Sequence, residues 1–90
     1  LGEWNGQNYL NCQEAFETNY AKGIRLFEAD FSLTSDGKIV LFHDGHETRF
    51  GLRKNFTEAE FLAAKPFEAT LLNLQGLVRL LAKYPDAKII

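Results

Sequence analysis

Residues 25–45 read RLFEADFSLTSDGKIVLFHDG, and the period of this stretch decides the fold class. Successive side chains on an extended strand point to opposite faces. Phe27, Ala29, Phe31 and Leu33 therefore share one face, and Glu28, Asp30, Ser32 and Thr34 share the other. Asp36-Gly37 is a two-residue turn signal, and residues 38–43 form a second β-rich run, so the stretch reads as a hairpin. With Asp36 and Gly37 as the central pair, Asp30 falls opposite His43, and Glu28 opposite Gly45. Directly opposed residues have Cβ atoms about 4.5–5.5 Å apart. This register predicts that two carboxylates and an imidazole converge on one face, while Phe31, Val40 and Phe42 turn toward a core.

Upstream, residues 1–10 have no clear period and read as a loop. Asn11 with Glu14 predicts a capping box, Cys12, Ala15, Phe16 and Tyr20 form an apolar stripe at helical spacing, and Gly23 supplies a C′ residue. Together they predict a helix over 12–22. Downstream, Thr57 with Glu60 predicts a second capping box, with Phe56 and Phe61 as its hydrophobic staple. That helix ends before Pro66. A third helix is expected over about 74–84, with Leu74, Leu77, Val78 and Leu81 on its apolar side. Pro85-Asp86 breaks it, and Ala87-Lys88-Ile89-Ile90 begins a strand. Helix, hairpin, helix, helix, strand is an α/β order.

Ninety residues, 46% hydrophobic and 13% aromatic, suit one small domain or a piece of a larger one. A net charge of −2 gives no reason to expect nucleic acid or an anionic membrane surface as partner. No apolar run approaches the roughly 20 residues of a transmembrane helix. One cysteine, Cys12, excludes an internal disulfide and a cysteine metal cluster. The chain begins at Leu1 with no visible signal peptide, and Asn55-Phe56-Thr57 fits the glycosylation sequon. Compartment and oligomeric state have no signature in these residues.

Glu28 and Asp30 are the first candidates for chemistry. Neighbouring carboxylates on one face repel and resist burial, so a positive partner is expected. A hard divalent cation with oxygen ligands, Mg²⁺ or Ca²⁺, is the natural one. The competing explanation is a solvated polar strand face. His43 has the proton affinity for general acid–base work; its competing explanation is a half-buried ring tied to Asp44 or to a backbone carbonyl. His46 reads as ordinary surface. Asp30 through Gly37 does not satisfy the EF-hand spacing, and Ser32, Thr34 and Ser35 lack a nucleophile elbow. Trp4, Tyr9 and Phe50 are candidates to line a pocket, or to pack.

The pattern Asn11…Ala15-Phe16…Gly23…Phe27-Glu28-Ala29-Asp30…Thr34-Ser35-Asp36-Gly37…Val40…His43-Asp44 resembles the glycerophosphodiester phosphodiesterase family. Its E-x-D, T-x-D-G and H-D elements stand in that family's order and spacing. The resemblance implies an N-terminal part of a TIM (β/α)8 barrel, with the hairpin at the catalytic rim and residues 1–90 as one barrel piece. It implies that Glu28 and Asp30 are metal ligands, that His43 is one of two catalytic histidines, and that the cation is Mg²⁺ or Ca²⁺. The implied reaction releases an alcohol and glycerol phosphate from a small-molecule glycerophosphodiester.

Two departures shape the expectation. The family's first catalytic histidine lies in an H-R-G-like element upstream of Asn11, and residues 1–10 contain neither histidine nor arginine. Its third carboxylate follows the strand that begins here at Ala87. The reading is therefore an incomplete fragment, inactive or nearly so, and marginally stable, aggregation-prone or dependent on other chain segments. Two alternatives remain: a related phospholipase acting on phosphoinositides or lysophospholipids, and a non-catalytic interaction module that keeps the hairpin as structure. The module predicts that Glu28→Ala and Asp30→Ala leave any metal response unchanged.

Overall fold

The alternating run from Ile24 to Thr34 forms two short strands rather than one. A computed structural model describes residues 1–8 and 10–90. Helix α1 (Gln13–Ala21) is followed by β1 (Leu26–Phe27), β2 (Phe31–Leu33), β3 (Ile39–Leu41), α2 (Glu58–Ala63), α3 (Leu74–Lys83) and β4 (Lys88–Ile89). A single 3₁₀ turn stands at Thr48–Phe50, and Pro66–Glu68 forms a turn in which Phe67 and Glu68 take left-handed φ of 55 and 65. β1 pairs in parallel with β4, and β2 pairs antiparallel with β3. The mixed α/β class agrees with expectation. Each sheet has two strands, and no barrel closes among the described residues.

The hairpin register differs by one residue from the expected one. Phe31 pairs with Leu41, Ser32 with Val40 and Leu33 with Ile39. The cause is the turn, which holds three residues between Thr34 and Lys38 rather than two. Gly37 N–H donates to the Thr34 carbonyl at 3.0 Å, and Thr34 N–H to the Lys38 carbonyl at 2.8 Å. Gly37 takes φ 79, the left-handed residue that closes such a loop with a bulge. A one-residue slip moves side chains to the other face. Asp30 accordingly lies across from Phe42, whose N–H donates to the Asp30 carbonyl at 3.0 Å, and not across from His43. Val40 and Phe42 are buried as expected, but Phe31 is 47% exposed.

Two helix details also differ. Cys12, not Asn11, caps α1: its Sγ accepts from Ala15 N–H at 3.4 Å. Glu14 reaches instead to Thr70, accepting from its N–H and its hydroxyl at 2.7 Å each. At the other end the expected C′ glycine is present. Ile24 N–H bonds the Asn19 carbonyl and Gly23 N–H that of Tyr20, the double closure of a Schellman motif. On α3, Leu77 and Leu80 are buried, whereas Leu74 and Val78 are exposed. The packed face is turned toward Gly76, where an added Cβ would meet Leu72 Cδ2 at 3.1 Å. The missing side chain lets this helix settle close on Leu72.

The expected cap of α2 is present. Thr57 Oγ1 accepts from Glu60 N–H at 3.2 Å, Glu60 Oε1 accepts from Thr57 N–H at 2.9 Å, and the Phe56 and Phe61 rings stack at 5.5 Å. Two aromatic groups organise the core. Phe16 stacks on Phe27 at 4.5 Å and leans on Tyr84. Phe42 is met edge-on by Phe50, Phe56 and Phe61. Fully burying one such ring contributes about 1.5–3 kcal/mol. Phe50 thus serves packing rather than a pocket, and Tyr9 lies outside the described residues. The loop expected over 1–10 contains a tight turn, with Trp4 and Gln7 exchanging backbone hydrogen bonds at 3.0 and 2.9 Å. Trp4 is half-buried and packs against the core.

Candidate functional site

Glu28, Ala29 and Asp30 follow directly on β1, past the end of a strand whose parallel neighbour is β4. In parallel α/β sheets, ligands gather beyond the carboxyl ends of the strands. Glu28 and Asp30 share a depression of about 390 Å³ with Leu1, Gly2 and Asn8. Asp30 also lines a neighbouring depression with Ala29, Phe31, Phe42, His43 and Asp44. Asp30 therefore shares one depression with Glu28 and another with His43. A cleft of about 420 Å³ lined by Lys65, Arg79 and Lys83 shares no residue with either.

Asn11 holds Asp30 in place. It is buried at φ 51, a left-handed conformation that asparagine tolerates better than most residues. Its Oδ1 accepts from Asp30 N–H at 3.3 Å, and its Nδ2 donates to Asp30 Oδ2 at 3.2 Å. The sequence signal was available, since an asparagine just before a helix can serve either as cap or as left-handed residue.

His43 is half-buried, and its Nδ1 lies 2.9 Å from the Asp44 carbonyl oxygen. A carbonyl only accepts, so Nδ1 carries the hydrogen and the neutral ring keeps its lone pair on Nε2. The Asp44 carboxylate is engaged elsewhere, accepting from the Ser32 hydroxyl. The backbone tie named as the competing explanation for His43 is thus present, and it fixes the tautomer as well.

His46 is not ordinary surface. It is half-buried, its ring stacks on that of His43 with centroids 4.5 Å apart, and its Nδ1 lies 3.3 Å from Arg49 Nη1. Burial, His43 and Arg49 together push its proton affinity down, against weaker pulls from Asp30 and Glu47. The signal lay in the spacing: His43, His46 and Arg49 are three apart, and residues three apart eclipse in 3₁₀-like turns.

The donor chemistry of Glu28 and Asp30 suits a hard cation. The lysine and arginine ion pairs among the described residues engage Asp86, Glu60 and Glu17 instead. No group of three or more His, Cys, Asp or Glu side chains is arranged to hold a metal among the described residues. The two carboxylates thus match such a cation in kind. No described helix is long and apolar enough to cross a membrane.

The model of the Glycerophosphoryl diester phosphodiesterase family matches residues 5–81, and the chain belongs to that family. Among curated proteins, none matches the chain.

Proposed function

We propose that this chain contributes Glu28, Asp30 and His43 to the cation-assisted hydrolysis of a glycerophosphodiester into an alcohol and glycerol phosphate. Family membership over residues 5–81 carries the reading, and the depressions that Asp30 shares with Glu28 and with His43 support it. Glu28 and Asp30 would hold Mg²⁺ or Ca²⁺, which when bound offsets charge gathering on the phosphoryl oxygens. With Nδ1–H donated to the Asp44 carbonyl, His43 Nε2 is the atom that takes or gives a proton. Water attacks phosphorus, the P–O bond to the leaving alcohol breaks, and one proton passes from the attacking water while another reaches the leaving oxygen. In this reading β1 and β4 are neighbouring strands of a (β/α)8 barrel. This reading assigns two carboxylates and one histidine to residues 1–90, so turnover by them is expected to be residual at most.

Thermal unfolding with and without Mg²⁺ or Ca²⁺ tests the ligand assignment on the chain itself. A cation at 100 times its dissociation constant stabilises by about 2.7 kcal/mol. We expect a rise in Tm that Glu28→Gln and Asp30→Asn each abolish. A Tm that neither cation moves, or that both variants retain, would sink the assignment and favour the interaction module. For the reaction, cation-dependent release of choline from glycerophosphocholine should vanish in His43→Gln; chelator-insensitive release would count against it.

A further inference from the structure

We propose that His46 is a positioning residue for His43, its ring holding the His43 imidazole by face-to-face stacking while Arg49 fixes His46 as a neutral acceptor. This inference rests on the acid–base role proposed for His43. The two rings lie 4.5 Å apart and 21° from parallel. An arginine has no lone pair to offer. Its contact with His46 Nδ1 at 3.3 Å therefore requires the lone pair to be on Nδ1, which leaves the hydrogen of neutral His46 on Nε2.

Arg49 is itself constrained. Its Nη2 donates to Gln7 Oε1 at 3.0 Å, and its guanidinium carbon stands 5.7 Å from the Phe50 ring centre and 5.5 Å from that of Phe67. Phe67 and Glu68 adopt φ 55 and 65, a left-handed conformation disfavoured for a bulky side chain. The chain accepts this at the point where Phe67 meets Arg49. A continuous path thus runs from Gln7 and Phe67 through Arg49 and His46 to the His43 ring.

The assignment separates the two histidines by role. The carbonyl of Asp44 sets which nitrogen of His43 carries the hydrogen, and the His46 stack sets the plane of the ring. A flat aromatic neighbour is enough for the second task, so phenylalanine should substitute for His46 where alanine does not.

Proton and nitrogen NMR of the histidine rings tests this without needing turnover. In the wild type we expect through-space contacts between the two rings, an unprotonated Nδ1 on His46, and His43 ring protons displaced upfield relative to His46→Ala. His46→Phe should restore most of that displacement. Where hydrolysis is measurable, His46→Ala should lower kcat about tenfold or more with little change in KM, and His46→Phe should recover it. Absent ring contacts, a protonated Nδ1 on neutral His46, or unchanged kcat in His46→Ala would overturn the inference. A stacked pair in a chain whose Tm neither Mg²⁺ nor Ca²⁺ moves would sink the phosphodiesterase reading while supporting the ring geometry. Should His46→Ala fail to fold, the wild-type spectra and His46→Phe still decide.

Discussion

Asn11 grips Asp30 at two points, accepting from its backbone N–H at 3.3 Å and donating to its carboxylate at 3.2 Å. The side chain proposed to bind a cation is thus oriented from a segment that precedes α1. Outer partners of metal ligands typically govern 10–100-fold in affinity. Asn11→Gly keeps the left-handed backbone and deletes both bonds, so cation affinity by calorimetry should fall about tenfold. Asn11→Ala should be less stable than Asn11→Gly by about 1–2 kcal/mol, because a Cβ is disfavoured at φ 51. Equal stabilities would refute the backbone argument; unchanged affinity would refute the orienting role.

Glu14 introduces a pH dependence. Burial alone would raise its proton affinity, but the hydrogen bonds from Thr70 outweigh that and hold the carboxyl below its ordinary value of 4.5. A depressed folded value means that the unfolded chain binds the proton first. The contribution is therefore fully present above about pH 4.5 and lost as pH falls through the lower folded value. Glu14→Gln should destabilise by about 1–2 kcal/mol near pH 7. The deficit should shrink on acidification, as read by denaturant titration at several pH values. A pH-independent deficit would remove the charge from the explanation.

The hairpin loop gives a local test of backbone conformation. Among the described residues no atom lies within 4 Å of a Cβ placed at Gly37, so Gly37→Ala meets backbone cost alone. At φ 79 that cost is about 1–2 kcal/mol. Asp36→Asn at the adjoining position should cost less. Were Gly37→Ala neutral by thermal unfolding, the left-handed conformation assigned to Gly37 would be wrong.

Phe31, Leu33, Ile39 and Leu74 line a common open depression, and Leu33 and Val78 are 70% and 56% exposed. Apolar surface of this kind promotes association. Leu33→Lys combined with Val78→Lys should suppress concentration-dependent light scattering while changing monomer stability by no more than about 0.5 kcal/mol per site. Scattering that persists unchanged would place the sticky surface elsewhere.

The elements themselves were legible because their signals are local. Phe56 to Phe61 carries cap and staple in six consecutive residues, and Gly23 closes α1 as its position requires. Register was not legible, because Asp36-Gly37 serves a two-residue or a three-residue loop equally well. Which loop forms is settled by bonds between Thr34, Lys38 and Asp36. The break between β1 and β2 was hidden for a different reason. Alternation is the same for one long strand and for two strands that pair with different partners, one of them at Lys88. Glu28 and Asp30 stood out as a same-face pair, whereas Asn11, His46 and Arg49 gain their roles through contacts that hydrophobic periodicity does not report.

The parallel pairing of Leu26 with Lys88 fixes an order of events in folding. The hairpin closes over a few residues, but β1 waits for a partner at the far end of the chain. Closing a flexible loop costs about 0.6 kcal/mol more for each doubling of its length, and non-local contacts slow folding. The hairpin and α2 are thus placed to form early and the β1–β4 ladder late, with Arg25 clasping Asp86 at 2.8 Å beside it. Destabilising changes in β4 should then speed unfolding, whereas those in the hairpin should slow folding. The segment that carries Glu28 and Asp30 would be among the last to acquire its final shape.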